Sequence, residues 1–204
     1  MIARVFAFAA AVLLGGVSVL ASASVTIGAA APDFTLTDSN GKPHALADYH
    51  GKIVVLEWNN PDCPFVRKHY GSGNMQKQQA AATAAGAIWL TINSGARGKQ
   101  GDLDGDGANA YIAKVGGKQT AYLLDADGKV GHMYGAKTTP HMYVIDKDGV
   151  LRYMGGIDSI ASTDIEDLAK ATQYVPQVLA ELAAGKPVSV TTSQPYGCSV
   201  KYGS

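Results

Sequence analysis

Apolar residues occur in short runs that are separated by turn-forming residues. Residues 52–58 (KIVVLEW) and 87–93 (AIWLTIN) are nearly continuous apolar runs of strand length, which predicts parallel strands covered on both faces. Two β-hairpins are predicted, one with its turn at residues 39–42 and one over residues 141–158. The pattern therefore predicts at least six strands.

Helices are predicted between these strands. Pro64 opens the first helix, because its fixed φ suits the first helical position and its missing N–H is not needed there. Residues 74–86 and 108–116 predict two further helices. Residues 163–185 predict a last helix that begins with a Thr-x-x-Glu capping box and is kinked at Pro176. The order of elements predicts an α/β fold with a mixed central sheet, helices on both faces and an N-terminal β-hairpin.

The first 23 residues have the pattern of a secretory signal. One basic residue, Arg4, precedes an uncharged apolar run that ends in the small-x-small sequence Ala21-Ser22-Ala23. We expect cleavage before Ser24 and a periplasmic or secreted protein, in a compartment where disulfides persist. The alternative is an uncleaved N-terminal anchor, because the apolar run is just long enough to cross a bilayer.

The remaining sequence predicts one domain and a tail. Residues 24–188 are enough for a single well-buried domain, and residues 189–204 form a C-terminal tail. The chain has 17 basic and 17 acidic side chains, so no basic field favours nucleic acid as a partner. After the signal, no segment is long and apolar enough to cross a membrane, so we expect no membrane interaction once the signal is cleaved.

Two cysteines are present, Cys63 directly before Pro64 and Cys198 in the tail stretch PYGCSVKY. Together with APDFTLTDSNGK, NPDCPFV and YGAKTTPHMYVIDKDGVLRYMGGID, this tail resembles the redoxin branch of the thioredoxin fold. That branch comprises the alkyl hydroperoxide reductase/thiol-specific antioxidant proteins and their peroxiredoxin-like relatives, and one subgroup carries a C-terminal cysteine. The resemblance implies a thioredoxin-like fold and a thiol-dependent oxidoreductase.

The surroundings of Cys63 predict a reactive thiolate. A helix N-terminus provides free N–H donors and about half a positive charge, both of which stabilise a thiolate. Arg67 and Lys68, one turn further on, add positive potential, although Arg67 could equally point to solvent. The alternative interpretation is a buried, inert thiol.

Cys198 has two possible roles. It could resolve an oxidised Cys63 by forming an internal disulfide, and a mobile tail would suit that role. It could also form a permanent staple, since closing so long a loop stabilises by up to about 5 kcal/mol.

The resemblance also implies that the Thr139–Pro140 bond is cis and lies against Cys63, where it offers backbone groups to an extended substrate strand. An ordinary trans proline at the start of a strand is the alternative. Two positions depart from the related families. Asn60 stands where dithiol thioredoxins have their first cysteine, and Pro140 stands where peroxiredoxins have an arginine.

Several further residues are considered as possible neighbours of Cys63. Trp58 is expected to pack beside the cysteine as core or site wall, and His141 is expected to be able to approach it. One cysteine and one histidine do not fill a metal site, so no metal is expected. Glu57 could relay a proton to Cys63, but as a charged residue at a strand end it is expected to pair with a lysine or arginine. His69 is expected to be a solvated helix residue.

The acidic stretch DLDGDG, residues 102–107, matches the first half of a calcium loop. The twelfth position is Ala113 instead of a bidentate glutamate, so we interpret the stretch as a turn with an acidic helix N-cap.

Three functions remain open at this point. The protein could reduce a hydroperoxide, or exchange disulfides with a protein substrate, in both cases regenerated by an external dithiol. It could also be a non-catalytic binding module stapled by a disulfide. No cofactor motif is present, because the glycine pairs lack phosphate-binding spacing.

Overall fold

The central element of the fold is a seven-stranded mixed sheet. This computed structural model describes residues 25–203, and the predicted signal peptide lies outside them. The strand order is β2-β1-β5-β4-β3-β7-β8. The strands are β1 Thr35–Asp38, β2 Pro43–Ala45, β3 Val54–Trp58, β4 Ile88–Asn93, β5 Ala121–Leu124, β6 Thr138–Thr139, β7 His141–Ile145, β8 Leu151–Gly155 and β9 Cys198–Ser199.

Helices cover both faces of the sheet, which confirms the predicted α/β architecture. The helices are α1 Pro64–Gly71, α2 Asn74–Ala84, α3 Gly105–Val115, α4 Lys129–Tyr134 and α5 Tyr174–Ala183, with 3-10 turns at Leu46–Tyr49 and Ile165–Ala169. β3, β4 and β5 are parallel, while β7, β8 and the N-terminal hairpin are antiparallel to their neighbours. No helix in the described part of the chain is long and apolar enough to cross a membrane.

The side chains of β3 divide between two cores. Val54, Leu56 and Trp58 pack in one hydrophobic cluster, together with residues of α4. Val55 packs in the other cluster, with residues of α1, α2 and α5. This division follows from the period of two in a strand, and it decides which side chains can reach Cys63, which lies in the second cluster.

The predicted helix over residues 163–185 is wrong in its first half. A 3-10 turn capped by Asp164 is followed by an extended segment, in which Gln173 bridges to Asp158. This pairing interrupts the helix, and α5 begins only at Tyr174. Pro176 therefore lies in the first turn of α5, where its missing N–H breaks no helical hydrogen bond and causes no kink.

The tail is hydrogen-bonded to the domain along its length, which differs from the mobile tail that the flanking residues QPYG and SVKYGS suggest. β9 pairs antiparallel with β6, and Thr192 bridges to Met154 in β8. The N–H of Ala96 donates to the carbonyl of Lys201 at 2.8 Å. These partners are distant in sequence, which is why local composition did not indicate them.

Candidate active site

Cys63 is the N-cap residue of α1, directly before Pro64 at the first helical position, as the sequence predicts. Its side chain is fully buried, under the tail and the loop of Pro140. A helix N-terminus directs unpaired N–H groups and a partial positive charge at this sulfur. The position therefore favours a thiolate over an inert thiol.

The loop before β7 forms one wall of the site. The Thr139–Pro140 peptide bond is cis, as expected from the resemblance. The Sγ of Cys63 lies 3.0 Å from the carbonyl oxygen of Thr139, to which the neutral thiol donates a hydrogen bond.

Cys198 lies directly opposite this loop. In the β6–β9 pair, Cys198 is the register partner of Thr139. The backbone N–H of Cys198 donates to the Sγ of Cys63 at 3.4 Å, across a separation of 135 residues. Both cysteines are free thiols. The fold therefore brings together the two cysteines and the proline loop that the sequence analysis singled out.

The environments of the two thiols shift their pKa values in opposite directions. Burial raises the pKa of Cys63, but hydrogen bonds from Cys198 and from the N–H of Val66 outweigh burial, and the pKa is lowered overall. Burial and the neighbouring Cys63 raise the pKa of Cys198 to about 11. In this arrangement Cys63 is the more acidic of the two thiols.

The loop between β3 and α1 is shaped by Asn60. Its side-chain oxygen accepts from the N–H of Asp62 at 2.8 Å, and its carbonyl accepts from the N–H of Cys63 at 3.0 Å. Asn60 thus acts as a turn residue in the place of a second active-site cysteine. Arg67 is exposed and pairs with Asp62 at 2.9 Å, so it points to solvent, as one of the two expectations had it.

Trp58 and His141 do not contact Cys63, which corrects two expectations. The two residues are register partners in β3 and β7, and both face the core opposite to Cys63. The Trp58 N–H donates to Ser94 Oγ at 2.9 Å. The ring of His141 lies 4.6 Å from that of Tyr143, and burial lowers the pKa of His141 to about 4.

Among the described residues, Glu57 pairs with neither lysine nor arginine, which is a further correction. Its buried carboxylate accepts hydrogen bonds from five uncharged side chains at 2.8 to 3.2 Å. The donors are Asn59, Tyr70, Gln79, Trp89 and Thr91. Burial raises the pKa of Glu57, and the hydrogen bonds oppose this effect. The network joins β3 and β4 to α1 and α2, and we interpret Glu57 as a structural anion.

A buried polar cluster beside the site was missed from the sequence. His69 is fully buried, not solvated, and Lys68 and Asp158 are also buried. The tail residue Tyr196 donates to Asp158 Oδ1 at 2.5 Å and lies 3.3 Å from His69 Nε2.

Asp104 caps α3 by accepting from the N–H of Gly107 at 2.8 Å, as the interpretation of DLDGDG as a helix cap predicts. Ala113, the twelfth position of the calcium pattern, lies within α3. In residues 25–203 no group of three or more histidine, cysteine, aspartate or glutamate side chains is placed to hold a metal ion.

The chain is similar in sequence and in fold to known proteins. The chain is 32% identical over 121 residues to the thiol-disulfide oxidoreductase ResA of Geobacillus kaustophilus, covering 52% of this chain and 68% of that protein. A structure of an uncharacterized conserved protein from Geobacillus kaustophilus superposes with a TM-score of 0.75 at 23% identity, over 87% of this chain and 93% of that one. A putative thiol:disulfide interchange protein DsbE from Chlorobium tepidum superposes at 0.53 with 26% identity, over 64% and 85%.

These neighbours confirm the thioredoxin-like fold. The profile of the AhpC/TSA family matches residues 27–154, which include β1 to β7, Cys63 and the loop of Pro140. Cys198 and the tail lie outside the matched region. On this match the chain belongs to the AhpC/TSA family.

Proposed function

We propose that this protein is an exported thiol–disulfide oxidoreductase in which Cys63 attacks a disulfide of a partner protein and Cys198 resolves the intermediate. The observation that carries the proposal is the pairing of β9 with the loop of Pro140, which places Cys198 against the Cys63 sulfur. A cysteine on an extended strand is thus held at the position that a substrate cysteine must occupy. The disulfide chemistry named for ResA, the 32% identical relative, supports the same reaction class.

The electrons balance in two exchanges. The Cys63 thiolate attacks one sulfur of the substrate disulfide, forms a mixed disulfide and releases the other sulfur as a thiolate. Cys198 then attacks the Cys63 sulfur, forms the internal disulfide and releases the second substrate thiol. An external dithiol reduces the Cys63–Cys198 bond and is itself oxidised to a disulfide.

The opposite pKa shifts support this division of roles. Cys63 is the better attacking group because its thiolate is stabilised at the helix N-terminus. The pKa of Cys198 is raised in part by the charge of Cys63. That charge disappears when Cys63 enters a mixed disulfide, so the pKa of Cys198 falls at the step where its thiolate is required.

A hydroperoxide is the second candidate substrate. Cys63 is fully buried under the tail, and a small oxidant needs a smaller opening than a protein does. In that reaction the peroxide converts Cys63 to a sulfenic acid and releases an alcohol or water, and Cys198 condenses with the sulfenic acid to release water. Against this candidate, Pro140 occupies the position of the arginine that helps peroxiredoxins bind peroxide.

Turnover measurements distinguish these functions. Reduced protein is supplied with excess dithiol and either a disulfide-containing model protein or hydrogen peroxide, and dithiol consumption is followed. We expect turnover with the protein disulfide and none in a Cys63→Ser variant. Turnover with peroxide alone would replace the first candidate by the second. An internal disulfide that resists reduction without denaturant would overturn both and leave a stapled binding module.

A further inference from the structure

The tail presents the tripeptide Tyr196-Gly197-Cys198 to the groove beside Cys63. The ring of Tyr196 lies edge-on to that of Phe65, with 5.6 Å between ring centroids and an interplanar angle of 66°. Its hydroxyl contacts two buried side chains, His69 on α1 and Asp158 in the segment after β8. We call the site formed by Phe65, Lys68, His69 and Asp158 the phenol subsite.

The phenol subsite offers one hydrogen-bond donor and one acceptor, which together match a hydroxyl group. Asn74 Nδ2 donates to His69 Nδ1 at 2.8 Å, which leaves the proton of the neutral ring on Nε2. Burial lowers the pKa of His69 to about 4, so the ring is neutral at pH 7. Nε2–H then faces the Tyr196 oxygen at 3.3 Å, while the Tyr196 hydroxyl donates to Asp158 at 2.5 Å. The phenol is therefore both acceptor and donor in this site.

Asp158 depends on this phenol. Its side chain is fully buried, and Oδ2 has no hydrogen-bond partner in the described part of the chain. Lys68 Nζ stands 4.0 Å and His69 Nε2 3.8 Å from that oxygen. Without the phenol, Asp158 Oδ1 keeps only the N–H of Ile160 at 3.0 Å. Sites built to bond a hydroxyl reject analogues that lack it, because their buried polar groups are left unpaired.

The next position in the groove accepts only glycine. Gly197 has a φ of +131°, and a Cβ built there would lie 2.0 Å from the carbonyl oxygen of Thr139. The position after it places the cysteine N–H on the Cys63 sulfur. Three consecutive positions are thus defined: a phenol, a residue without a side chain and a cysteine.

We propose that this groove recognises extended segments with the sequence Tyr-Gly-Cys in partner proteins, and that the tail is a built-in copy of such a substrate. This inference rests on the proposed function and adds its substrate class. When the tail leaves the groove, a partner segment pairs with β6, its tyrosine fills the phenol subsite and its cysteine sulfur meets Cys63. The exchange with Cys63 then follows the balanced steps given above.

The test uses the full chain with Tyr196→Ala and Cys198→Ser, which weakens the hold of the tail and leaves Cys63 as the single thiol. The probes are four hexapeptides based on residues 194–199, Gln-Pro-Tyr-Gly-Cys-Ser, each activated as a mixed disulfide with 5-thio-2-nitrobenzoate. One keeps this sequence, and the others carry Tyr→Phe, Tyr→Ala or Gly→Ala. The Cys63 thiolate attacks the peptide sulfur and releases coloured nitrothiobenzoate, which reports the rate. Free cysteine serves as the reference attacking thiol.

We expect the Tyr-Gly-Cys peptide to react roughly 10- to 100-fold faster than the Tyr→Ala and Gly→Ala peptides, with the Tyr→Phe peptide between them. All four should react equally with free cysteine. Equal rates of the four peptides with the protein, or no reaction above the reference, would overturn the inference. Oxidised glutathione separates the two proposals: if Cys63 reacts with glutathione but does not discriminate among peptides, only this inference fails. If Cys63 reacts with neither, the proposed function fails as well.

Discussion

Replacing Gly197 by alanine should detach Cys198 from Cys63 while both cysteines stay in the sequence. The added Cβ would lie 2.0 Å from the Thr139 oxygen, whereas side-chain carbons essentially never approach below 3.0 Å. Because the neighbour is backbone, the tail must move by about 1 Å or leave the groove. Either movement breaks the contact between the Cys198 N–H and the Cys63 sulfur.

The size of the effect follows from the contacts that are lost. The Cys198 N–H contact and the hydrogen bonds of the β6–β9 pair are worth about 1 kcal/mol each. A non-glycine residue at positive φ adds about 1 kcal/mol more. With one hydrogen bond of the β6–β9 pair lost, the total of about 3 kcal/mol lowers the equilibrium constant for docking of the tail roughly 100-fold. The rate of internal disulfide formation should fall as the docked state becomes displaced or less populated.

The assay starts from reduced protein, adds one equivalent of oxidised glutathione, and traps free thiols at intervals with an alkylating agent for mass spectrometry. Gly197→Ala should accumulate glutathione on Cys63, while wild type proceeds to the internal disulfide. Gly203→Ala is the matched control, because its Cβ would meet Ala96 at an ordinary 3.7 Å. An unchanged rate in Gly197→Ala would refute the reasoning from the docked tail.

Three further predictions concern stability, measured by urea unfolding. His141→Asn should reduce the acid sensitivity of the protein. The pKa of His141 is about 4 when folded and about 6.5 when unfolded, so this histidine alone should cost the wild type roughly 2 to 3 kcal/mol of stability between pH 7 and pH 4.5. An equal loss in the variant would contradict this. Glu57→Ala should cost at least about 3 kcal/mol, because five donors lose their acceptor. Trp58→Phe should cost about 1 to 3 kcal/mol through its bond to Ser94 but leave the alkylation rate of Cys63 unchanged; a changed rate would place Trp58 at the site after all.

The sequence was sufficient for the sheet and for the position of Cys63 at a helix N-terminus. Apolar runs indicated β3 and β4, and the hairpin turns indicated the antiparallel strands, because these signals are local. Pro64 indicated the helix start, and with it the electrostatic environment of the cysteine before it. The loop of Pro140, in contrast, was identified by its resemblance to the redoxin branch and not by a local signal.

The missed features depend on contacts that are distant in sequence. His69 was predicted to be solvated because nothing near it in sequence indicates that Asp158 and the tail cover α1. The helix predicted from residue 163 is interrupted by pairing of Gln173 with Asp158. Trp58 was placed beside the cysteine because a continuous apolar run conceals which face each residue takes. In each case tertiary pairing overrides a local preference.

The central claim is that Cys63 attacks and Cys198 of the same chain resolves. The most direct measurement is non-reducing peptide mapping of dilute wild-type, Cys63→Ser and Cys198→Ser proteins after one equivalent of oxidised glutathione. The account predicts a Cys63–Cys198 linked peptide within wild-type monomers, glutathione held on Cys63 in Cys198→Ser, and little reaction in Cys63→Ser. Glutathione attached first to Cys198, or a wild-type disulfide that links two chains, would contradict it.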